Sequence, residues 1–244
     1  LFLAETSEYD VAPYLYTSKD QGRSWSIIKI SQKAPPADHL DNNFYKGPHV
    51  RISQTGRISA IQAMTYESCS GGRTLEGIYV EGSPTKQKTK PFFIDLEDVL
   101  FDEKDKLALP CANNPHLGHQ GQIYFFQECG HGYEEGRKLY VMRESGRSQY
   151  KIARVLGDHW PEHINKRSYD VIRTNDLSTF AWTGQQLFTL TGDQASLVAD
   201  TPEWTDAESQ FSTDNLGRAW LWNNSHIWRF DPAAQSAIGP ASRP

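Results

Sequence analysis

What most constrains this chain is its punctuation. Short runs of alternating apolar and polar residues are broken by Gly, Pro, Asn and Asp at intervals of about eight to twelve residues. Tyr14-Leu15-Tyr16 and Trp25 to Ile30 read as two arms of a hairpin, with Ser18 to Arg23 as the turn. The pattern recurs. His49 to Ser53 and Arg57 to Ala63 flank Gln54-Thr55-Gly56, and Gly77 to Val80 follows. Phe92-Phe93-Ile94, Leu107 to Leu109, Gln122 to Phe126, Lys138 to Met142 and Tyr150 to Leu156 form a third group. Tyr169 to Ile172, Thr179 to Trp182 and Gln186 to Leu190 form a fourth. Gln210 to Ser212, Arg218 to Trp222 and His226 to Phe230 form a fifth. Alternation with period two places successive side chains on opposite faces, as a half-buried strand requires.

Composition agrees. Seven Trp, eleven Tyr and eleven Phe make the chain 12% aromatic, and aromatic residues favour strands over helices. At 244 residues the chain is ordinary for one all-β domain and long enough to bury a core. Strand groups that return every 40 to 50 residues or so have the size of a four-stranded blade. The fold expected is therefore an all-β β-propeller of five or six blades over residues 1–231, with 232–244, rich in Ala, Pro, Gly and Ser, as a flexible C-terminal tail. Pro110 to Gly121 reads as the least regular stretch.

Charge narrows the partners. A formal net charge of −5 gives no basic face for a non-specific nucleic-acid binder. No apolar run approaches the roughly 18 residues that a membrane-spanning helix needs. Leu1-Phe2-Leu3 reads as a strand already under way, so the natural start is expected upstream of Leu1, whether or not a signal peptide preceded it. The three cysteines, Cys69, Cys111 and Cys129, allow three single-bridge pairings, and the sequence does not choose among them. The pairing expected is Cys111–Cys129, which would fasten an irregular loop, with Cys69 as a buried free thiol. Such a bridge fits a periplasmic or secreted protein.

Three constellations could carry chemistry. Arg51, Arg57, Arg73, Arg143 and Arg173, with Tyr66-Glu67, resemble the residue types of a sialidase-like site. Arg51-Ile52 is followed by Ser53 and not Pro, however, and consecutive Tyr66 and Glu67 would point to opposite faces of a strand. Cys111, His116, His119, Cys129 and His131 have zinc-ligand chemistry, but their spacing matches no compact finger, so no metal and no cofactor are expected. Trp204, Trp220, Trp222 and Trp228 would make a binding platform if exposed and sheet packing if buried. Trp204, Trp222, Trp228, His116 and His119 stand as the possible binding residues. No phosphate loop or nucleophile elbow is present. The sequon Asn223-Asn224-Ser225 is meaningful only in a glycosylating host.

Ser18 to Trp25 reads Ser-x-Asp-x-Gly-x-x-Trp, which resembles the Asp-box of sialidase-like and related propellers. Ser212 to Trp220 echoes it with one extra residue before its Gly, and Gln54 to Arg57 echoes it more faintly. The resemblance implies structural roles for Ser18, Asp20, Gly22 and Trp25, and for Ser212, Asp214, Gly217 and Trp220. It implies that each Asp accepts backbone N–H groups across its turn, that Gly gives the tight backbone, and that Trp packs on the blade. Proteins of this architecture include glycosidases, lectins and bacterial protein-binding factors, among them immunity proteins against secreted toxins. The function expected is non-catalytic recognition of a protein partner, such as a toxin. The alternative is a carbohydrate-active propeller, whether sialidase-like glycosidase or lectin.

Overall fold

In the computed structural model, residues 2–5, 14–18, 20–29, 43–45, 49–52, 58–67, 73–81, 92–95, 100–101, 112–127, 138–145, 150–162, 164, 171–201, 210–223, 225–232 and 238–241 are described. They form strands and turns, with no helix among them. The strands group, in chain order, into five sheets. Sheet I is β1 (Phe2–Glu5), β2 (Tyr14–Thr17) and β3 (Ser26–Lys29), a simple antiparallel meander. Sheet II holds β4 (Asn43–Tyr45), β5 (His49–Ile52), β6 (Ile58–Glu67), β7 (Arg73–Glu81) and β8 (Phe92–Asp95). Within it, β4 and β5 lie end to end along one edge of the long β6.

Sheet III contains β9 (Leu100–Phe101), β10 (Ala112–Leu117), β11 (Ile123–Gln127), β12 (Lys138–Glu144) and β13 (Tyr150–Arg154). Its last four strands run antiparallel in chain order, and β9 returns to pair parallel with β13. Sheet IV is β14 (Ile172–Thr174), β15 (Thr179–Trp182), β16 (Gln186–Thr191) and β17 (Gln194–Asp200). Sheet V is β18 (Gln210–Thr213), β19 (Ala219–Trp222), β20 (Ile227–Phe230) and β21 (Ile238–Ala241), again antiparallel. Part of the segment expected as a flexible tail is thus β21, paired with β20. The irregular stretch likewise contains β10, whose ladder shifts register between Asn113 and His116. Pro115 has no N–H to give the ladder, and the shift lets the strand pass it.

Sheet IV shows why the sheets stack. Along β15 the buried residues alternate in allegiance. Ala181 joins Tyr124, Phe126, Leu139 and Val141 of sheet III, with Phe188 and Leu190, in one apolar core. Phe180 and Trp182 join Phe211, Ala219, Leu221 and Phe230 of sheet V in a second. A strand buried on both faces reads as a continuous apolar run, which Phe180-Ala181-Trp182 is. Each large apolar side chain so buried contributes about 1.5–3 kcal/mol, so both seams are strongly held. Gly157 closes the III–IV seam, because any Cβ there would collide with the Ala195 carbonyl. Beside it, Leu156 exchanges backbone hydrogen bonds with Asp193 and Ala195 at the start of β17. Strands β5, β6 and β7 of sheet II contact β10, and β14 contacts β18.

Candidate functional site

The residues that the sequence singles out fall mostly on hairpin turns, and the turns share a construction. In the first, the Asp20 carboxylate accepts the Ser24 N–H at 2.9 Å, the Ser24 hydroxyl at 2.6 Å and the Ser18 hydroxyl at 2.9 Å. Ser18 Oγ in turn accepts the Gly22 N–H at 2.7 Å, and Gly22 holds φ at 90°. Hydrogen bonds from Ser24, first through its hydroxyl and then its N–H, and from Ser18 bring the Asp20 pKa down to about 2. Trp25 does not pack as expected. Its indole N–H reaches the Gly22 carbonyl at 3.1 Å, but the side chain is 40% exposed.

In the turn after β18, Asp214 Oδ1 accepts the N–H groups of Leu216 at 2.9 Å and Arg218 at 3.1 Å. Its Oδ2 accepts Arg218 Nε–H at 2.6 Å and the Trp220 indole N–H at 2.7 Å. Burial raises this carboxyl, and the bonds from Trp220, Arg218 and Leu216 outweigh it, leaving the pKa below the ordinary carboxylate value. The Arg218 and Arg229 guanidiniums lie 5.4 and 5.9 Å from the Trp220 ring centroid, within cation–π range. Ser212 is opposite Trp220 in the ladder.

A third turn of this kind was not legible as one. Residues 118–122 repeat the backbone bonds of 214–218. The Gly118 N–H meets the Gln122 carbonyl at 2.7 Å and the Gly121 N–H meets the Gly118 carbonyl at 3.2 Å, against 3.0 and 3.2 Å for Asp214–Arg218 and Gly217–Asp214. Gly121 and Gly217 hold φ at 90° and 81°. Gly118 stands where Asp214 stands, and Gln122 Oε1 accepts the Gln120 N–H as Asp214 Oδ1 accepts that of Leu216. A Cβ on Gly118 would come within 2.8 Å of Gln122 Oε1, so the carboxamide fills the carboxylate's place. The available signal was Gly118-x-x-Gly121 just ahead of an apolar run. Asn175 pins the corresponding turn of sheet IV, accepting the N–H groups of Leu177 and Ser178 at 2.8 Å each.

These turns touch. The His119 N–H and Nδ1 lie 2.9 and 3.0 Å from Thr179 Oγ1. Leu177 packs over Gly217, its Cδ1 3.1 Å from where a Cβ would stand. A line of pinned hairpins therefore runs from sheet III through IV to V. Along it, Leu177 and Leu216, each two residues after its Asn or Asp, are 61% and 69% exposed.

The other candidates scatter. His116 is buried and meets Phe126 edge-on at 6.4 Å, so it belongs to the interior. Trp220 and Trp222 share one face of β19, half-buried, while Trp228 is paired with Leu221 on the opposite face, against the sheet IV–V core. His226 leans on Trp228 at 5.1 Å. Trp204, His131, Arg57, the Gln54–Arg57 echo, Leu107–Leu109 and all three cysteines lie outside the described residues. Of the arginines, Arg143 pairs with Asp193 at 3.5 Å, and Arg173 donates to the Phe211 and Ile172 carbonyls, tying β14 to β18. Tyr66 and Glu67 sit opposite Thr74 and Arg73 in β7. Among the described residues no group of three or more His, Cys, Asp or Glu could hold a metal, and no helix is long and apolar enough to cross a membrane. Compared with protein-family models, with curated proteins and with solved structures, the chain matches none.

Proposed function

We propose that the five sheets are blades of a β-propeller of the Asp-box kind, and that its line of pinned turns recognises a protein partner in the periplasm or outside the cell. Toxin neutralisation is the concrete form of this reading. What supports it is the Leu177–Leu216 pair. Two large apolar side chains stand in water on neighbouring turns whose backbones are fixed by Asn175 and Asp214. Exposed apolar residues on a rigid support are the usual anchors of an interface, because little ordering entropy is lost when they dock. A sugar-binding platform draws less support, since Trp220 and Trp222 are half-buried and the Trp220 N–H is spent on Asp214.

The test is co-purification from the source organism, and with the products of adjacent genes, comparing the natural chain with Leu177→Ser/Leu216→Ser. Both leucines are exposed, so the double variant should keep its melting temperature and lose a specific partner more than tenfold. Equal capture by both proteins, or binding on a glycan array that the substitutions leave intact, overturns the reading.

A further inference from the structure

The Trp220 ring serves two cations, and only one of them has a counter-charge. The Arg218 and Arg229 guanidiniums lie 5.4 and 5.9 Å from its centroid. Asp214 neutralises Arg218 through the 2.6 Å bond from Nε–H. It has no acceptor position left for Arg229. A carboxylate offers about four, and Leu216, Trp220 and Arg218, which donates twice, fill them. Cross-strand pairing sets Arg229 opposite Trp220, on the face of sheet V turned away from the sheet IV–V core. Gln210, Ser212, Trp222 and Ile227 complete that face across β18, β19 and β20, and none is acidic. Arg229 is half-buried, and its Nε–H is shut off from water with no acceptor. Among the described residues it enters no ion pair. A guanidinium held partly out of water without a carboxylate carries a desolvation cost that a fully solvated arginine avoids. Cation–π attraction offsets part of that cost, but here two cations share one ring. With Nε sealed, the two terminal nitrogens are what Arg229 offers outwards, and such a flat pair of donors grips a carboxylate at both oxygens.

We propose that Arg229, held on Trp220, is the receptor for an acidic side chain of a polypeptide partner. The missing charge calls for an anion, and the planar fork suits a carboxylate. The hairpin points to the source. Leu216 and Trp220 donate to the same Asp214 carboxylate, so the exposed Leu216 and the guanidinium belong to one pinned turn and its strands. An aspartate or glutamate carried beside an apolar residue meets both. The chain's net charge of −5 repels an acidic partner at long range, so the attraction is local and selects where the acid docks. The choice of a polypeptide rests on the reading of Leu177 and Leu216 as anchors, and the carboxylate site itself does not.

The probe is N-acetyl-glutamate N-methylamide, one glutamate side chain on a peptide unit, with its glutamine counterpart as control. ¹H–¹⁵N spectra of the whole labelled chain follow the Trp220 indole and Arg229 Nε–H signals during titration. The glutamate probe should move both signals saturably and bind at least about fivefold more tightly than the glutamine probe. Arg229→Gln should abolish that preference, and Arg229→Lys, which keeps the charge without the fork, should lose most of it. Leu177→Ser/Leu216→Ser should leave it intact, because the probe carries no apolar side chain. Equal affinities for the two probes, shifts matched by sodium chloride at the same ionic strength, or a preference that survives Arg229→Gln overturns the proposal. If Arg229→Gln fails to fold, the two probes on the natural chain still decide. A specific partner that needs the leucines but is held equally by Arg229→Gln keeps the leucine reading and overturns this one. Glutamate preference at Arg229 without any leucine-dependent partner upholds the carboxylate site and overturns the leucine reading.

Discussion

The turns at Asp20 and Asp214 are both pinned by a carboxylate, but they close differently: Gln21 and Gly22 hold positive φ in the first, and in the second Gly217 does. At Asp20 the donors are two serine hydroxyls and a backbone N–H, and the carboxylate is in water. At Asp214 the donors include an indole and a guanidinium, the group is half-buried, and Ala219 and Leu221 of the following strand lie in the sheet IV–V core. The fuller match to the motif is thus the more exposed turn, and the imperfect match is the one built into the packing. Motif completeness records how the backbone closes. It does not record how much the rest of the molecule leans on that closure, because the cost of losing a hydrogen bond depends on whether water can replace it.

The largest expected effect follows from that difference. Asp214→Ala removes the acceptor of four donors and leaves the Trp220 and Arg218 side chains with poor access to water. We expect a loss of about 3 kcal/mol, read from chemical denaturation with an unchanged m-value. A loss equal to that of Asp20→Ala would break the comparison. Trp220→Phe keeps the ring under the two guanidiniums and deletes only the indole donor, so the expected cost is about 1 kcal/mol. A cost as large as that of Asp214→Ala would place the stability in the indole bond alone. Asp20→Ala should lower the melting temperature least of the three, since water reaches both Ser24 donors and of the abandoned groups only the Ser18 hydroxyl is on a buried residue.

The Asp20 carboxyl also titrates in a predictable direction. Its folded pKa, about 2, lies below the unfolded value, so its stabilisation is complete above pH 4, is lost as pH falls towards 2, and is absent from any pH dependence between 5 and 8. A carboxyl ¹³C titration with a midpoint at or above 4 would show that the Ser18 and Ser24 bonds do not persist in solution.

Much of the strand pattern was legible. Thr179–Trp182 and Gln186–Thr191 were readable almost residue for residue, because aromatic and β-branched residues dominate there and sharp turns bound each run. Other strands were not, and β21 falls in the stretch expected as a tail. In β10, Asn113-Asn114-Pro115 argues for a loop, and only a tertiary fact, the register shift that accommodates the proline, makes it a strand. In β17, Gln194-Ala195-Ser196 lacks strand-forming residues, and Leu156 and β16 supply the pairing from outside. The candidate site divides the same way. Asp20 and Asp214 announced their turns, since a short carboxylate that accepts an amide two or four residues further on is a local device. Gly118 did not, because the acceptor had moved to Gln122. The exposed leucines carried no signal either, since an apolar residue reads as core until its neighbours are known. Trp228 was grouped with Trp220 and Trp222 by type, and the register between β19 and β20 separates them.

The return of β9 to the edge of β13 has a consequence in time. Sheets I, IV and V are assembled entirely from strands adjacent in the chain, so each can form by closing short loops. Sheet III cannot be completed that way. Leu100 and Phe101 wait for Lys151 and Ile152, with β10, β11 and β12 threaded between them. Closing the longest loop last is the entropically cheaper order, and parallel pairing gives less per residue. Strand β9 is therefore expected to join after the four-stranded sheet beside it has formed and to leave before that sheet opens, so the edge of β13 is bare for part of every folding event.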